Sequence, residues 1–142
     1  MARIHSFNEG LDMRDREKTG GENPEMEEKL SVLLHSLRAS RRRHVIALLD
    51  EQKAEESVST RWLARQIAGR ENGTSPDRVS SEQYKNMYNA LSQSHLPTLT
   101  DADVIVYDPQ RQMVQRGQSF SLAILLLNLN RPTVRAFYDP CR

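Results

Sequence analysis

From Pro24 onward, apolar residues recur at helical spacing. Met26, Leu30, Leu33, Leu34 and Leu37 fall at i, i+4, i+7, i+8 and i+11 and predict one amphipathic helix. Pro24 suits its first turn, where a fixed φ helps and no N–H is required. Val45, Ile46, Leu48 and Leu49 supply the buried face of a second helix, which Ser40 can cap and which ends near Gln52. Beyond the charged linker 53–56, residues 57–60 are β-branched at Val58 and Thr60 and give a single edge-strand rung. Ser59 or Thr60 then caps a third helix with Trp62, Leu63 and Ile67 inward. The run of Asn72, Gly73, Thr74, Ser75 and Pro76 breaks the chain. Ser80 or Ser81 caps a fourth helix whose inward stripe is Tyr84, Met87, Tyr88 and Leu91, and which Pro97 bends or ends.

Leu96 and Leu99 keep the core contact, and Asp103, a residue that tolerates the left-handed conformation, sits where helix must give way to strand. Val104, Ile105, Val106 and Tyr107 read as a strand and Met113 and Val114 as its return. Asp108, Pro109, Gln110 and Arg111 make the turn between them. Helix, helix, then a two-stranded hairpin is the order of a winged helix-turn-helix, whose second helix commonly enters the DNA major groove.

The segment FSLAILLLNLN, from Phe120, is apolar on nearly every side. A continuous apolar strand is the rival reading, but Leu, Ala and Asn outnumber β-branched residues, so a helix capped by Ser119 is expected. Such a helix must be covered on more than one face. One face on the domain and another on a second copy, through Phe120, Leu122, Leu125, Leu126 and Leu129, would give a two-fold homodimer. The expected fold class is mainly α with a small β hairpin: a winged helix-turn-helix plus a C-terminal apolar helix. Its expected organisation is a flexible arm over 1–23, the winged domain over 24–117, the apolar helix over 118–131 and a tail over 132–142.

At 100° per residue, Glu82, Asn86, Asn89 and Gln93 fall opposite the apolar stripe of the fourth helix, with Lys85 beside them. Asn and Gln can bond bidentately to the N6 and N7 edge of adenine, Glu can accept from cytosine N4, and Lys can reach guanine or phosphate. An ordinary solvated face would carry similar residues; the winged-helix order favours base reading. Arg41, Arg42 and Arg43, consecutive at the start of the second helix, point in three directions and are candidate phosphate contacts. Arg61 and Arg65 on the third helix and Arg111 and Arg116 on the wing complete that set. The competing reading of the triple arginine is a surface cluster paired with Asp50, Glu51 or the acidic arm.

Charge and composition narrow the function classes. The net charge of +1 hides an acidic leader, four basic against eight acidic residues over 1–28, and a basic body, eleven against seven over 29–100. Cys141 alone cannot build a disulfide framework, which points to a reducing, cytoplasmic home. Four scattered histidines imply no metal, and no cofactor motif is present. The first residues lack the apolar core of a signal peptide, and no apolar run reaches the ~20 residues of a membrane span. Without a phosphate loop, nucleophile elbow or spaced carboxylate pair, an enzyme is not expected. Double-stranded DNA is the expected partner, with a winged-helix protein-interaction module lacking DNA binding as the alternative.

The stretches SLRASRRRHVIALL, NGTSPDRVSSEQ and YNALSQSHLPTLTDADVIVYD resemble a winged-helix domain of unknown function found in haloarchaea and their viruses. The resemblance covers roughly residues 27 to 116, and its most specific parts are Arg41, Arg42, Arg43 and His44 and the step His95, Leu96, Pro97. It implies a DNA-binding regulator similar in build to the ArsR-like winged helices. Asp103 stands where that pattern usually has Gly, a physically tolerable exchange.

Overall fold

The computed structural model describes residues 23–139. The arm expected over 1–23, Asn23 apart, and Cys141 lie outside the described residues. Two compact units divide within the first helix, residues 1–32 and 33–142. No helix among the described residues is long and apolar enough to cross a membrane.

Helix α1 (Pro24–Ser36) opens on its proline as expected. Asn23 Oδ1 accepts from the backbone N–H of Glu25 at 3.0 Å and satisfies one of the donors left open at the helix start, where the proline has none. The predicted apolar stripe divides: Leu33 and Leu37 are buried, whereas Met26, Leu30 and Leu34 are exposed. Spacing reports which residues share a face, not what covers it.

In the second unit, α2 (Ser40–Asp50) is followed by β1 (Val58–Ser59), α3 (Thr60–Asn72) and a 3₁₀ turn (Pro76–Arg78). Then come α4 (Ser81–Ala90), a π turn (Leu91–His95), α5 (Leu96–Asp101), β2 (Ile105–Asp108), β3 (Met113–Arg116) and α6 (Phe120–Tyr138). The result is a mainly helical body with a small three-stranded antiparallel sheet and a C-terminal helix. The strands run in the order β1-β3-β2, with Val58 opposite Val114 and Tyr107 opposite the same residue on the other side. Helix, edge strand, helix, helix and hairpin follow in the winged helix-turn-helix order.

Local chemistry explains the boundaries. Ser59 Oγ accepts from Trp62 N at 3.0 Å to start α3, and Gly73, at φ 65, ends it in the left-handed conformation. Ser80 and Gln83 form a reciprocal capping box on α4. Two expected caps are absent: Ser40 is already inside α2, whose N-cap Ala39 has no side chain to offer, and Ser119 makes no side-chain cap bond to α6. Asp103 takes φ 59 at the turn from α5 into the sheet. A Cβ on Gly117 would lie 2.5 Å from Asp103 O, so glycine alone permits this close pass.

Pro97 does not end the helical rod. The preceding turn widens, with Leu96 N–H bonding Leu91 O, and the helix continues as α5 to Asp101. A proline lacks an N–H and crowds the carbonyl four residues back; a π turn just before it relieves both.

The core gathers Val45, Ile46 and Leu49 of α2, Leu63 and Ile67 of α3, Leu91, Leu96 and Leu99 of the rod from the π turn into α5, Ile105 and Val114 of the sheet, and Phe120 of α6. Each such side chain, buried completely, contributes about 1.5–3 kcal/mol. The C-terminal apolar run is a helix, as expected, but it extends past 131, through Pro132, to Tyr138. Segment 132–138, assigned to a tail, is therefore helical.

Candidate nucleic-acid interface

Helix α4 is fixed from below. Met87 and Leu91 are buried, Tyr84 and Tyr88 are half-buried with ring centroids 5.8 Å apart, and α4 packs on α3. The guanidinium of Arg65 on α3 stacks 4.6 Å from the centre of the Tyr84 ring, joining the two helices by a cation–π contact. This rotation leaves Glu82, Lys85, Asn86, Asn89 and Gln93 all exposed on the outer side. The structure brings these five together as one face. None of their side chains bonds another described residue, so every carboxamide donor and acceptor is open to a ligand edge.

The basic residues separate into two groups. Arg61 and Arg111 are exposed without a side-chain partner among the described residues, and Arg65 is exposed above its tyrosine. Arg111 sits at the wing turn, where Asp108 Oδ1 accepts from the backbone N–H groups of Gln110 and Arg111 at 3.0 and 3.2 Å. Arg78, in the 3₁₀ turn just before α4, is a further exposed cation without a partner among the described residues. It escaped the sequence reading because the link was treated only as a chain break; a cation flanking the helix start was the available signal.

The other candidates are occupied within the fold. Arg42 is buried at 7% exposure, where Nε donates to Ser36 O at 2.8 Å and Nη2 to His35 O at 3.0 Å. Its guanidinium thus satisfies Ser36 O and adds a second bond to His35 O, which also accepts the backbone N–H of Arg38. Arg43 Nη1 donates to Leu37 O and Arg38 O at 2.8 and 2.7 Å in the same corner. Arg41 forms a two-pronged pair with Glu71 at 2.8 and 2.9 Å rather than with Asp50 or Glu51; the leader lies outside the described residues, Asn23–Glu28 apart. Arg116 turns back from the wing: its Nη2 donates to Leu49 O, Asp50 O and Gln52 O at the end of α2, and its guanidinium stacks 4.8 Å from the Phe120 ring centre. Arg41, Arg42, Arg43 and Arg116, expected as free phosphate ligands, are thus engaged within the fold, Arg41 by a carboxylate and the other three by carbonyls near helix ends. Arginine is the side chain best shaped to satisfy several helix-end carbonyls, and sequence cannot show which carbonyls lie within reach.

Electrostatics follow this packing. The hydrogen bond to Arg41 holds the Glu71 carboxyl below the usual carboxylate range and raises the arginine. Burial, reinforced by nearby arginines, holds both His44 and His95 below the ordinary histidine value. Burial and its neighbours Arg38 and Arg43 likewise lower Arg42, which stays charged at any ordinary pH. Among the described residues, no cluster of His, Cys, Asp and Glu could hold a metal ion.

On α6, Phe120, Ala123 and Leu127 are buried and the helix packs against α2. Phe120 is only 2% exposed, so it belongs to the core and leaves the expected interface set. Leu122, Leu125 and Leu129 are 48%, 52% and 61% exposed on the other side, with Leu126 half-buried beside them.

No curated protein and no solved structure matches the chain. Residues 34–115, more than half of it, match the domain of unknown function DUF7344, from the end of α1 through all of β3 but Arg116. The chain belongs to that family.

Proposed function

We propose that this protein is a sequence-specific DNA-binding transcriptional regulator of the haloarchaeal or haloarchaeal-virus type, acting as a homodimer. The single observation that carries the reading is the open face of α4 and the π turn that extends it: a lysine, a glutamate and three carboxamides, the last of them Gln93 in that turn, all exposed and unpartnered among the described residues, on the second helix of a helix-turn-helix. The dimensions of a helix and the hydrogen-bonding pattern of the major groove suit each other. Arg61, Arg65, Arg78 and Arg111 flank that face and supply phosphate contacts, while Leu122, Leu125 and Leu129 join two copies. Selection of bound sequences from a random duplex pool tests the reading. Enrichment of a paired motif supports it, and recovery of an unenriched pool refutes it.

A second reading has its own support. Arg41, Arg42, Arg43 and Arg116 are all engaged within the fold, which lowers the free positive charge that duplex binding would use. A winged-helix protein-interaction module would need no such charge. It predicts a pull-down partner that competes with nothing on DNA and binding unaffected by the carboxamides of α4.

A further inference from the structure

His95 closes the π turn two residues beyond Gln93, the last side chain of the open face. Its Nδ1 lies 3.2 Å from Nη1 of Arg42. A guanidinium has donors and no acceptor, so Nδ1 must accept, carry no proton, and leave the ring proton on Nε2. Arg42 is itself anchored on Ser36 O and His35 O. One continuous set of contacts therefore runs from the end of α1, through α2, to the end of the reading helix. The charged groups that act on the ring are Arg42 and Arg41 from α2 and Glu71 from α3, and Glu71 is held by Arg41.

We propose that His95 is a proton-sensitive positioning residue for the reading helix. Neutral, it accepts from Arg42 and holds the end of α4 against the corner between α1 and α2. Protonated, it has no acceptor at Nδ1, faces a second cation at contact distance, and releases that end. The regulatory consequence rests on the DNA-reading role proposed for α4.

The sign follows from the packing. Burial, then Arg42 and Arg41, oppose the proton and only Glu71 favours it, so the folded protein binds it less readily than an unfolded chain. The contribution to stability is complete above the ordinary histidine value of about 6.5 and declines as pH falls below it. Acid thus weakens DNA binding through this contact, although added histidine charge alone would strengthen attraction to phosphate.

The full-length protein and its His95→Asn variant separate these effects. Asn keeps an acceptor near the position of Nδ1 and cannot titrate. Imidazole ¹⁵N spectra of the wild type should show an unprotonated Nδ1 on His95 at about pH 7.5 and titration below the usual histidine range. On acidification, the amide resonances of α4 and the π turn should shift in step with His95 and remain fixed in His95→Asn. Anisotropy of a fluorescein-labelled mixed-sequence duplex of about three helical turns should show affinity falling several-fold with acid in the wild type and not in the variant. A protonated Nδ1 near neutrality, α4 shifts that persist in His95→Asn, or acid sensitivity removed by His44→Asn instead, overturns the proposal. If the wild type binds no duplex at any pH the DNA reading fails, while the spectra still decide the positioning role.

Discussion

Arg42 and His95 stand fifty-three positions apart and meet at 3.2 Å, the arginine donating to the unprotonated ring nitrogen. They come from the two most distinctive stretches of the sequence, the triple arginine with His44 and the step His95, Leu96, Pro97. Those stretches are therefore two halves of one part-buried contact. Their distinctiveness reports on how the end of α4 is held.

Arg42→Met should cost about 1–3 kcal/mol, because it leaves the buried Ser36 O without its donor, while His35 O keeps the backbone N–H of Arg38. Arg41→Ala should cost less than ~1 kcal/mol, since the pair with Glu71 is about one-third exposed. Urea unfolding of both variants measures the difference. Equal destabilisation would show that the carbonyl bonds of Arg42 add nothing beyond a surface pair.

Asn86→Ala with Asn89→Ala should leave unfolding unchanged, because neither side chain has a partner among the described residues. Removing a good bidentate bond to a base should lower discrimination between duplex sequences by ~1–3 kcal/mol. Competition binding with selected and scrambled duplexes reads this directly. A double variant with wild-type sequence preference removes α4 as the reader.

Arg61→Ala, Arg78→Ala or Arg111→Ala should each weaken binding to all sequences and reduce the salt slope by ~1, as fewer counterions are released. Arg116→Ala should behave differently, lowering stability through the freed end of α2 with little change in slope at temperatures where it stays folded. Titrations at several salt concentrations distinguish the two groups. An unchanged slope in all three exposed variants would falsify the assignment of these arginines to phosphate.

Leu125→Glu or Leu129→Glu should yield monomers without unfolding, because both side chains are more than half exposed in the single chain. Sedimentation at several concentrations provides the measurement. Phe120→Ala should instead destabilise the domain by about 3–5 kcal/mol, since that ring is core. A wild type that sediments as a monomer throughout refutes the homodimer.

Much of the architecture was legible because it rests on local signals. Helical spacing located α2, α3 and α4; Ser59 and Ser80 marked the starts of the last two, and Asp103 marked the turn into the sheet. The face of α4 was legible for the same reason, since a wheel places Asn86 opposite Tyr84 without reference to the rest of the chain. The arginines were not legible. Their positions depend on where the carbonyls of Ser36, Leu37, Leu49 and Gln52 finally lie, which is a property of tertiary packing. Pro97 misled for a related reason: proline disrupts a regular α turn, but a wider turn accommodates it.

That wider turn also sets the phase of the rod. In an uninterrupted α-helix, five residues advance by about 500°, which would carry Leu96 about 140° around from Leu91 and out of the core. The extra residue in Leu91–His95 cancels most of that rotation, and Leu91, Leu96 and Leu99 all end up fully buried. The rod thus behaves as two helices joined by a one-residue insertion. Deleting one residue between 92 and 95 would keep both apolar stripes aligned but return the proline to a regular α turn, where it crowds the carbonyl four residues back, whereas adding one would turn α5 out of register with the core. The same deletion would displace the ring that meets Arg42. Length at this point is therefore coupled both to the proline and to how the end of α4 is anchored.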